Sequence, residues 1–509
     1  MSDEVRFSEE RVTESFKSIR NRLRKSYPEE VILACIRKLN QHPPDPIQFW
    51  RKYPPWKLLL IIKWTFIHGE YLSPDRRVLS GRDFNYILYL MGELEKRIRM
   101  PNQYENVFLL FRNMAFQQFW LQHELRLSTF SRQSVLFGKL DTTHPFHIKF
   151  FEKFAISVPQ FIELALMLMT CFIVEKKHFV TRDWFKPVEN NYPIGTIERF
   201  LELLSGDIDS IRDLLLKLNQ PGRKISYEIY EKTPLRERPL FRHDAKYYPF
   251  SPELLARSIE SFIYDKLRND DPESFMEKFG PIFEKYVGDS ISKMGVPFIC
   301  EKHLREMLPG NGKLVDYLMI DAGTKVFIDA KGVEMAYLGM VGHQPEIVKD
   351  KTKNSVTKGI QQGFDTAKRL DAIGKVGDIT VDYWKENYLI IVTFKDLFLG
   401  NGSDFYTYIA KNALDKLTQQ YDETAPIPFD HMYFMCIDDF DLLAEVVASG
   451  RASLSDILRF AVVSDAVGQT KKLTFRQHIM DLFPKAQEPK WLLAESHHIL
   501  DECSLKFIQ

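Results

Sequence analysis

Four short runs in the C-terminal half of the chain are mainly apolar and lack alternation: LVDYLMI (314–320), KVFIDAKGV (325–333), NYLIIVTF (387–394) and HMYFMCIDDF (431–440). A strand with one wet face alternates polar and apolar residues, so runs of this kind fit strands covered on both faces. Segments of helical character stand around them, chiefly GPIFEKYVGDSISKMG (280–295) and a polar stretch near 354–370. In the first of these, Pro281 occupies a plausible first helical position and Gly295 the stop. Strands alternating with helices predict a C-terminal α/β domain with a central mixed sheet.

The first 220 residues read differently. In YENVFLLFRNMAFQQFWLQHEL, residues Phe108, Phe111, Ala115 and Phe119 recur at spacings of three and four, which predicts one buried helix face. FIELALMLMTCFIV, from Phe161 to Val174, is 14 residues long and contains Glu163. It is short of the ~20 residues that cross a bilayer and reads as a buried core helix. Between Asn219 and Pro252 five prolines and many charges accompany little periodicity, the composition of a linker or extended arm. The expected division is a large α-helical recognition or sensor domain over 1–245, linked near 219–252 to an α/β domain over 246–509 that ends in a helical and strand extension.

Lys plus Arg and Asp plus Glu both number 69, so no global basic excess marks a nucleic-acid coat protein and any anion-binding surface must be local. Residues 346–370 hold six Lys/Arg against three acids, and KSIRNRLRK packs Lys17, Arg20, Arg22, Arg24 and Lys25 together. Each cluster reads either as a phosphate track or as a solvated helix face. Five scattered cysteines form no C-x-x-C pair, which excludes a zinc ribbon and favours a reducing compartment. The acidic start MSDEVRFSEE is no signal peptide, so the expectation is a cytoplasmic protein without membrane partners. PGNGK (309–313) lacks P-loop spacing, His144 and His147 lack a general-base glutamate between them, and no G-x-S-x-G occurs.

The acids inside the first two runs need an explanation. With those runs as antiparallel strands, a loop of two residues (322–323) or four (321–324) sets Ile320 opposite Lys325 and Asp316 opposite Asp329; a three-residue loop shifts the register by one. Opposed like charges ~5 Å apart are destabilising. Lys331, two residues after Asp329, shares its face. Mg²⁺ is commonly held by one or two carboxylates, and a lysine beside it can orient or help deprotonate an attacking water. Upstream, Glu284 supplies a third acid, with Glu277 the alternative two turns earlier.

The order GPIFEKYV, LVDYLMI, VFIDAKG resembles the three core motifs of the PD-(D/E)xK nuclease superfamily, although Val315 stands where the naming proline would be. The resemblance spans roughly 275–395 and implies a restriction-endonuclease-like fold. It assigns Glu284 as helix acid, Asp316 as strand acid, and Asp329 with Lys331 as the closing pair, with the Ala330 carbonyl as a further ligand to Mg²⁺, for which Mn²⁺ substitutes. NSVTKGIQQGFDTAKRL resembles the helix that carries substrate-contacting residues in several branches, which nominates Lys358, Gln361 and Gln362. The implied activity is metal-dependent phosphodiester hydrolysis in DNA rather than RNA, with many such enzymes acting as homodimers. By layout alone the chain resembles prokaryotic anti-phage effectors, with the helical half meeting a protein trigger or partner. The alternatives are an effector that cuts RNA such as tRNA with the same site, and a catalytically silent nucleic-acid-binding scaffold.

Overall fold

A computed structural model describes residues 9–69, 75–98, 106–122, 127–218, 224–321, 323–373, 375–376, 379–380, 386–421 and 424–508. The chain forms two compact units, Met1–Asn269 with Ala494–Gln509, and Asp270–Leu493. The division therefore falls at 269/270 rather than near 245, and residues 494–509 belong to the first unit.

The first unit is mainly helical, as expected. Its helix Val158–Ile173 is capped by a reciprocal pair, Ser157 with Gln160, and buries Phe161, Leu164, Ala165 and Leu168 completely. Among the described residues no single helix is long and apolar enough to cross a membrane. Helix Val107–Gln122 corrects the expected stripe. Phe111 is 57% exposed, while Leu109, Arg112, Asn113, Phe116 and Gln117 are buried with Ala115. The helix is apolar nearly all round, so spacing alone could not choose its face. Arg112 turns inward because its guanidinium lies 4.8 Å over the Phe116 ring, and Gln117 because it donates to the Ile229 carbonyl.

The expected linker is also corrected. Residues 219–223 lie outside the described residues, but beyond them Leu240–His243 and Lys246–Pro249 form a hairpin in a four-stranded sheet. Leu240, Phe241 and Phe250 are fully buried, and Phe66 meets the two phenylalanine rings at 5.8 and 6.1 Å. The prolines punctuate structure here: Pro234 opens a 3₁₀ turn, Pro249 ends a strand and Pro252 opens helix Pro252–Asp270. A buried ion triad stabilises the same unit, with Lys63 Nζ 2.5 Å from both Glu228 Oε2 and Glu231 Oε1.

The second unit is built on a five-stranded mixed sheet. Its elements are helix α1 (Pro272–Lys293), strand β1 (Phe298–Cys300), helix α2 (Glu301–Met307), strands β2 (Tyr317–Asp321) and β3 (Thr324–Lys331), helix α3 (Lys358–Ile373), strands β4 (Asn387–Thr393) and β5 (Met432–Cys436), and helix α4 (Ile437–Ala448). The strand order is β5-β4-β3-β2-β1; β3, β4 and β5 run parallel, and β2 runs antiparallel to both of its neighbours, β3 and β1. Six successive residues of β4, Tyr388–Thr393, are all buried, so both faces are covered as the unbroken apolar run predicts. Strand β3 lies in the middle.

Local details differ from the sequence expectation. Helix α1 starts at Pro272, capped by Asp271, whose carboxylate accepts from Ser274 N at 3.1 Å, and Pro281 sits inside it. Proline removes one helical hydrogen bond; both Pro281 and Glu277, whose carbonyl loses that partner, are exposed, so water can replace it. Gly295 ends the helical segment at φ +70°, as expected. Strand β2 begins at Tyr317 rather than Leu314, and β3 ends at Lys331 rather than Val333. The run HMYFMCIDDF divides into β5 and the first turn of α4. The hairpin register is as drawn, with Ile320 opposite Lys325 and Asp321 opposite Thr324.

Candidate active site

The middle strand carries a buried acid and a lysine two residues after it. Asp329 is 0% exposed, and Lys331 Nζ lies 2.6 Å from its Oδ2. Among the described residues no other donor reaches either Asp329 oxygen, so the carboxylate relies on Lys331 for both charge and hydrogen bonding. Lys331 Nζ also donates to Gln362 Oε1 at 3.1 Å, and Gln362 Nε2 donates to the Leu314 carbonyl at 2.7 Å. Helix α3 can approach this closely because Gly359 lacks a side chain. A Cβ there would stand 2.7 Å from Asp329 Oδ2 and 2.9 Å from Ile391 Cδ1. The helix reaches this point through a wide π turn at Lys353–Thr357, an irregularity frequent at functional sites.

Three further carboxylates gather nearby. Asp316 Oδ2 accepts from Ala330 N at 2.6 Å, and the Asp316 carbonyl accepts from Glu301 N at 2.7 Å. The first bond anchors the Asp316 side chain at the end of β3, and the second continues the β1–β2 register one pair beyond Cys300 opposite Tyr317. Tyr317 donates its hydroxyl to the Glu284 carbonyl at 2.9 Å, in space that Gly288 leaves open: a Cβ there would fall 2.3 Å from the hydroxyl oxygen. That contact fixes α1 against β2 with Glu284 beside Asp316. One carboxylate oxygen each from Glu284, Glu301 and Asp316 lie within 4.8 Å of one another.

The electrostatics follow from burial. Burial raises the Asp316 carboxyl to about 8, reinforced by the charge of Asp329 and opposed by Lys331 and the Ala330 N–H. Asp329 is raised by the same cause, opposed chiefly by Lys331. Glu284 is raised by burial and then by Glu301 and Asp329. A low-dielectric site with several carboxylates and one adjacent ammonium is short of positive charge. Hard oxygen donors, two of them on a buried carboxylate whose one described partner is Lys331, fit a hard divalent cation such as Mg²⁺.

The geometry thus brings together Glu284, Asp316, Asp329, Lys331 and Gln362. It places Ala330 there through its N–H, and leaves Glu277 exposed. Lys358 is next to the site on the first turn of α3, where its ammonium is held below the usual lysine range by Lys313 within hydrogen-bond reach, with Lys331 adding. Gln361 is exposed, whereas its neighbour Gln362 is buried in the network. Glu301 and Lys313 escaped sequence reasoning. Glu301 opens a seven-residue helix in FICEKH, where an acid in the first turn is ordinary, and only the pairing of β1 with β2 brings it to Asp316. Lys313 arrives because Arg369 holds the Leu308, Gly310 and Gly312 carbonyls while Thr366 and Gln362 hold Val315 and Leu314.

A second group, Asp396, Cys436 and Asp439, also clusters, but Asp439 already accepts from Arg476 N at 3.1 Å. His144 caps a helix through Phe146 N, and His147 bonds the Phe137 carbonyl at 2.7 Å; both roles are structural. Comparison with family models, with curated proteins and with solved structures finds no match to this chain.

Proposed function

We propose that the second unit is a Mg²⁺-dependent nuclease that hydrolyses phosphodiester bonds, DNA before RNA, with Mn²⁺ able to substitute. The observation that carries this reading is the buried Asp329 carboxylate, paired only with Lys331 among the described residues, on the central strand and next to Glu284, Glu301 and Asp316. The order α1, β1, α2, β2, β3, α3, β4, with acid-x-lysine at the end of β3, further supports kinship with restriction-endonuclease-like folds. An isolated hairpin facing water would have no reason to bury these groups.

Asp316 and Asp329 would hold the cation, with Glu284 and Glu301 completing its shell and the Ala330 carbonyl available as a further oxygen. When bound, the cation supplies neutralising charge to the phosphate and makes water more acidic. Lys331, steered by Asp329 and Gln362, presents Nζ to orient the attacking water. Lys358 and Lys313 stand where a neighbouring phosphate of the substrate would pass.

The test is cleavage of supercoiled plasmid, linear duplex and total tRNA by the full chain in Mg²⁺ or EDTA, with Asp329→Ala and Lys331→Ala in parallel. Cleavage that needs the cation and is lost in both variants supports the reading, and the substrate consumed decides between DNA and RNA. A silent scaffold is the outcome if the parent binds neither Mg²⁺ nor Mn²⁺ by calorimetry and cuts nothing.

A further inference from the structure

The basic cluster of the first unit has no part in that chemistry, and the fold gives it unusual company. Helix Glu9–Leu23 packs along helix Gly81–Ile98, which sets Arg22 over the ring of Tyr86 at 4.8 Å. Tyr86 and Tyr89 are 45% and 59% exposed, and their rings stack with centroids 6.1 Å and planes 23° apart. A bridge between Ser26 and Arg77 brings the next segment alongside. There Arg76 lies 5.0 Å over the exposed ring of Tyr27.

Cations outnumber acids beside these rings: Lys25 and Arg82 are exposed, Arg22 and Arg76 lie over tyrosines, Glu93 one turn from Tyr89 is paired with Lys96, and Arg24 turns away to donate to the His68 carbonyl. The Asp83 carboxylate is shared by Arg22 at 3.6 Å and Arg77 at 3.2 Å, and it also accepts from the Ser80 hydroxyl at 2.6 Å. One carboxylate split between two guanidiniums leaves the face positive, and the Arg77 side chain remains 57% exposed.

Aromatic rings left in water beside arginines match one ligand chemistry well. Every base has a π face that stacks on tyrosine irrespective of sequence, while its phosphates pair with guanidinium groups. A duplex hides its base faces, and an acidic peptide would use the arginines but give no role to the stacked tyrosines. We propose that this face binds single-stranded nucleic acid, with bases stacking on Tyr86 and Tyr89 and phosphates on Arg22, Arg77 and Arg82. Binding here needs neither a cation nor hydrolysis, so it stands or falls separately from the nuclease reading.

The experiment uses the full chain in EDTA and a fluorescein-labelled oligothymidylate of about 15 nucleotides, matched to common single-strand site sizes. Fluorescence anisotropy should show the Tyr86→Ala/Tyr89→Ala double variant binding more than about tenfold more weakly, the scale of losing stacked bases. The Arg77→Ala/Arg82→Ala variant should reduce the salt slope by about 1.4, two phosphate contacts on a single strand. With the unaltered protein, a 5-iodouracil oligonucleotide should photo-cross-link to the peptide that holds Tyr86 and Tyr89. Unchanged affinity in the tyrosine variant, cross-links confined to 270–493, or no binding by the parent would overturn the proposal. Equal competition by polyglutamate would also overturn it and assign the face to an acidic protein.

Discussion

Replacing Gly359 by alanine tests the site through its packing, with every charged residue left in place. The new Cβ would meet Asp329 Oδ2 at 2.7 Å and Ile391 Cδ1 at 2.9 Å. Both neighbours are 0% exposed, so neither can swing into solvent. Ordinary contact begins at 3.4 Å, so Oδ2 must retreat by about 0.7 Å, well beyond the ~0.2 Å tolerance of a metal–ligand distance. Alanine is favoured over glycine in a helix by about 1 kcal/mol, whereas overpacking a buried site costs about 1–3 kcal/mol. The net expectation is a loss of about 0–2 kcal/mol of stability, together with a drop of about 10- to 100-fold in Mg²⁺ affinity. Two controls isolate the effect. Gly363→Ala on the same helix meets only Leu389 methyls at 3.0 Å and an Ile427 methyl at 3.5 Å, and Gly92→Ala in helix Gly81–Ile98 has Lys57 Nζ at 4.0 Å as its nearest neighbour. Gly363→Ala should lose stability and keep cation binding; Gly92→Ala should gain about 1 kcal/mol. Urea denaturation and calorimetric Mg²⁺ titration read all three. Unchanged affinity in Gly359→Ala, or equal loss in Gly363→Ala, would refute the reasoning.

Glu301→Gln should weaken Mg²⁺ binding by about tenfold with little change in melting temperature, while Glu277→Gln leaves both alone; equal behaviour of the two would remove Glu301 from the site. Lys63→Met should cost about 3–5 kcal/mol, because two buried carboxylates, Glu228 and Glu231, lose their shared cation, and a urea midpoint near that of the parent would contradict it. Burial holds the His68 imidazole down at about 4, with Arg20, Arg24 and Lys63 adding and Glu228 opposing. The unfolded chain takes up this proton near 6.5 and the folded chain only near 4, so His68 contributes stability that is complete above 6.5 and declines as pH falls towards 4. His68→Gln should flatten that part of a urea-midpoint against pH curve, and an identical slope would count against the assignment.

The legible parts of this chain were those where one residue type meets a two-sided constraint. A carboxylate inside an apolar run has few purposes, so Asp316, Asp329 and Lys331 could be read from sequence; the hairpin register followed only if the loop had an even number of residues, a condition that Asp321 opposite Thr324 meets. Glu284 needed the helix to be read, and its true start at Pro272 lies nine residues before the Pro281 that looked like the opening. Glu301 and Lys313 depend on which strands pair and which carbonyls Arg369 captures, which no local pattern records. The hairpin at 240–249 was missed because its turn residues, Asp244 and Ala245, sit at φ 48° and 59° without the glycine or asparagine that usually announces such a turn. On helix Val107–Gln122 the apolar surplus erased the period that identifies a buried face.

The membership of residues 494–508 in the first unit has a consequence for synthesis. Lys506 pairs with Glu163, Glu495 accepts from Ser134 and Lys139, and Ser496 shares a hydrogen bond with Ser131. Those partners are translated only after all of 270–493, so at elongation rates of ~5–20 residues per second the helical unit waits on the order of ten seconds or more with its docking surface bare. During that interval the second unit can already pair the strands of its sheet, the last of which ends at Cys436.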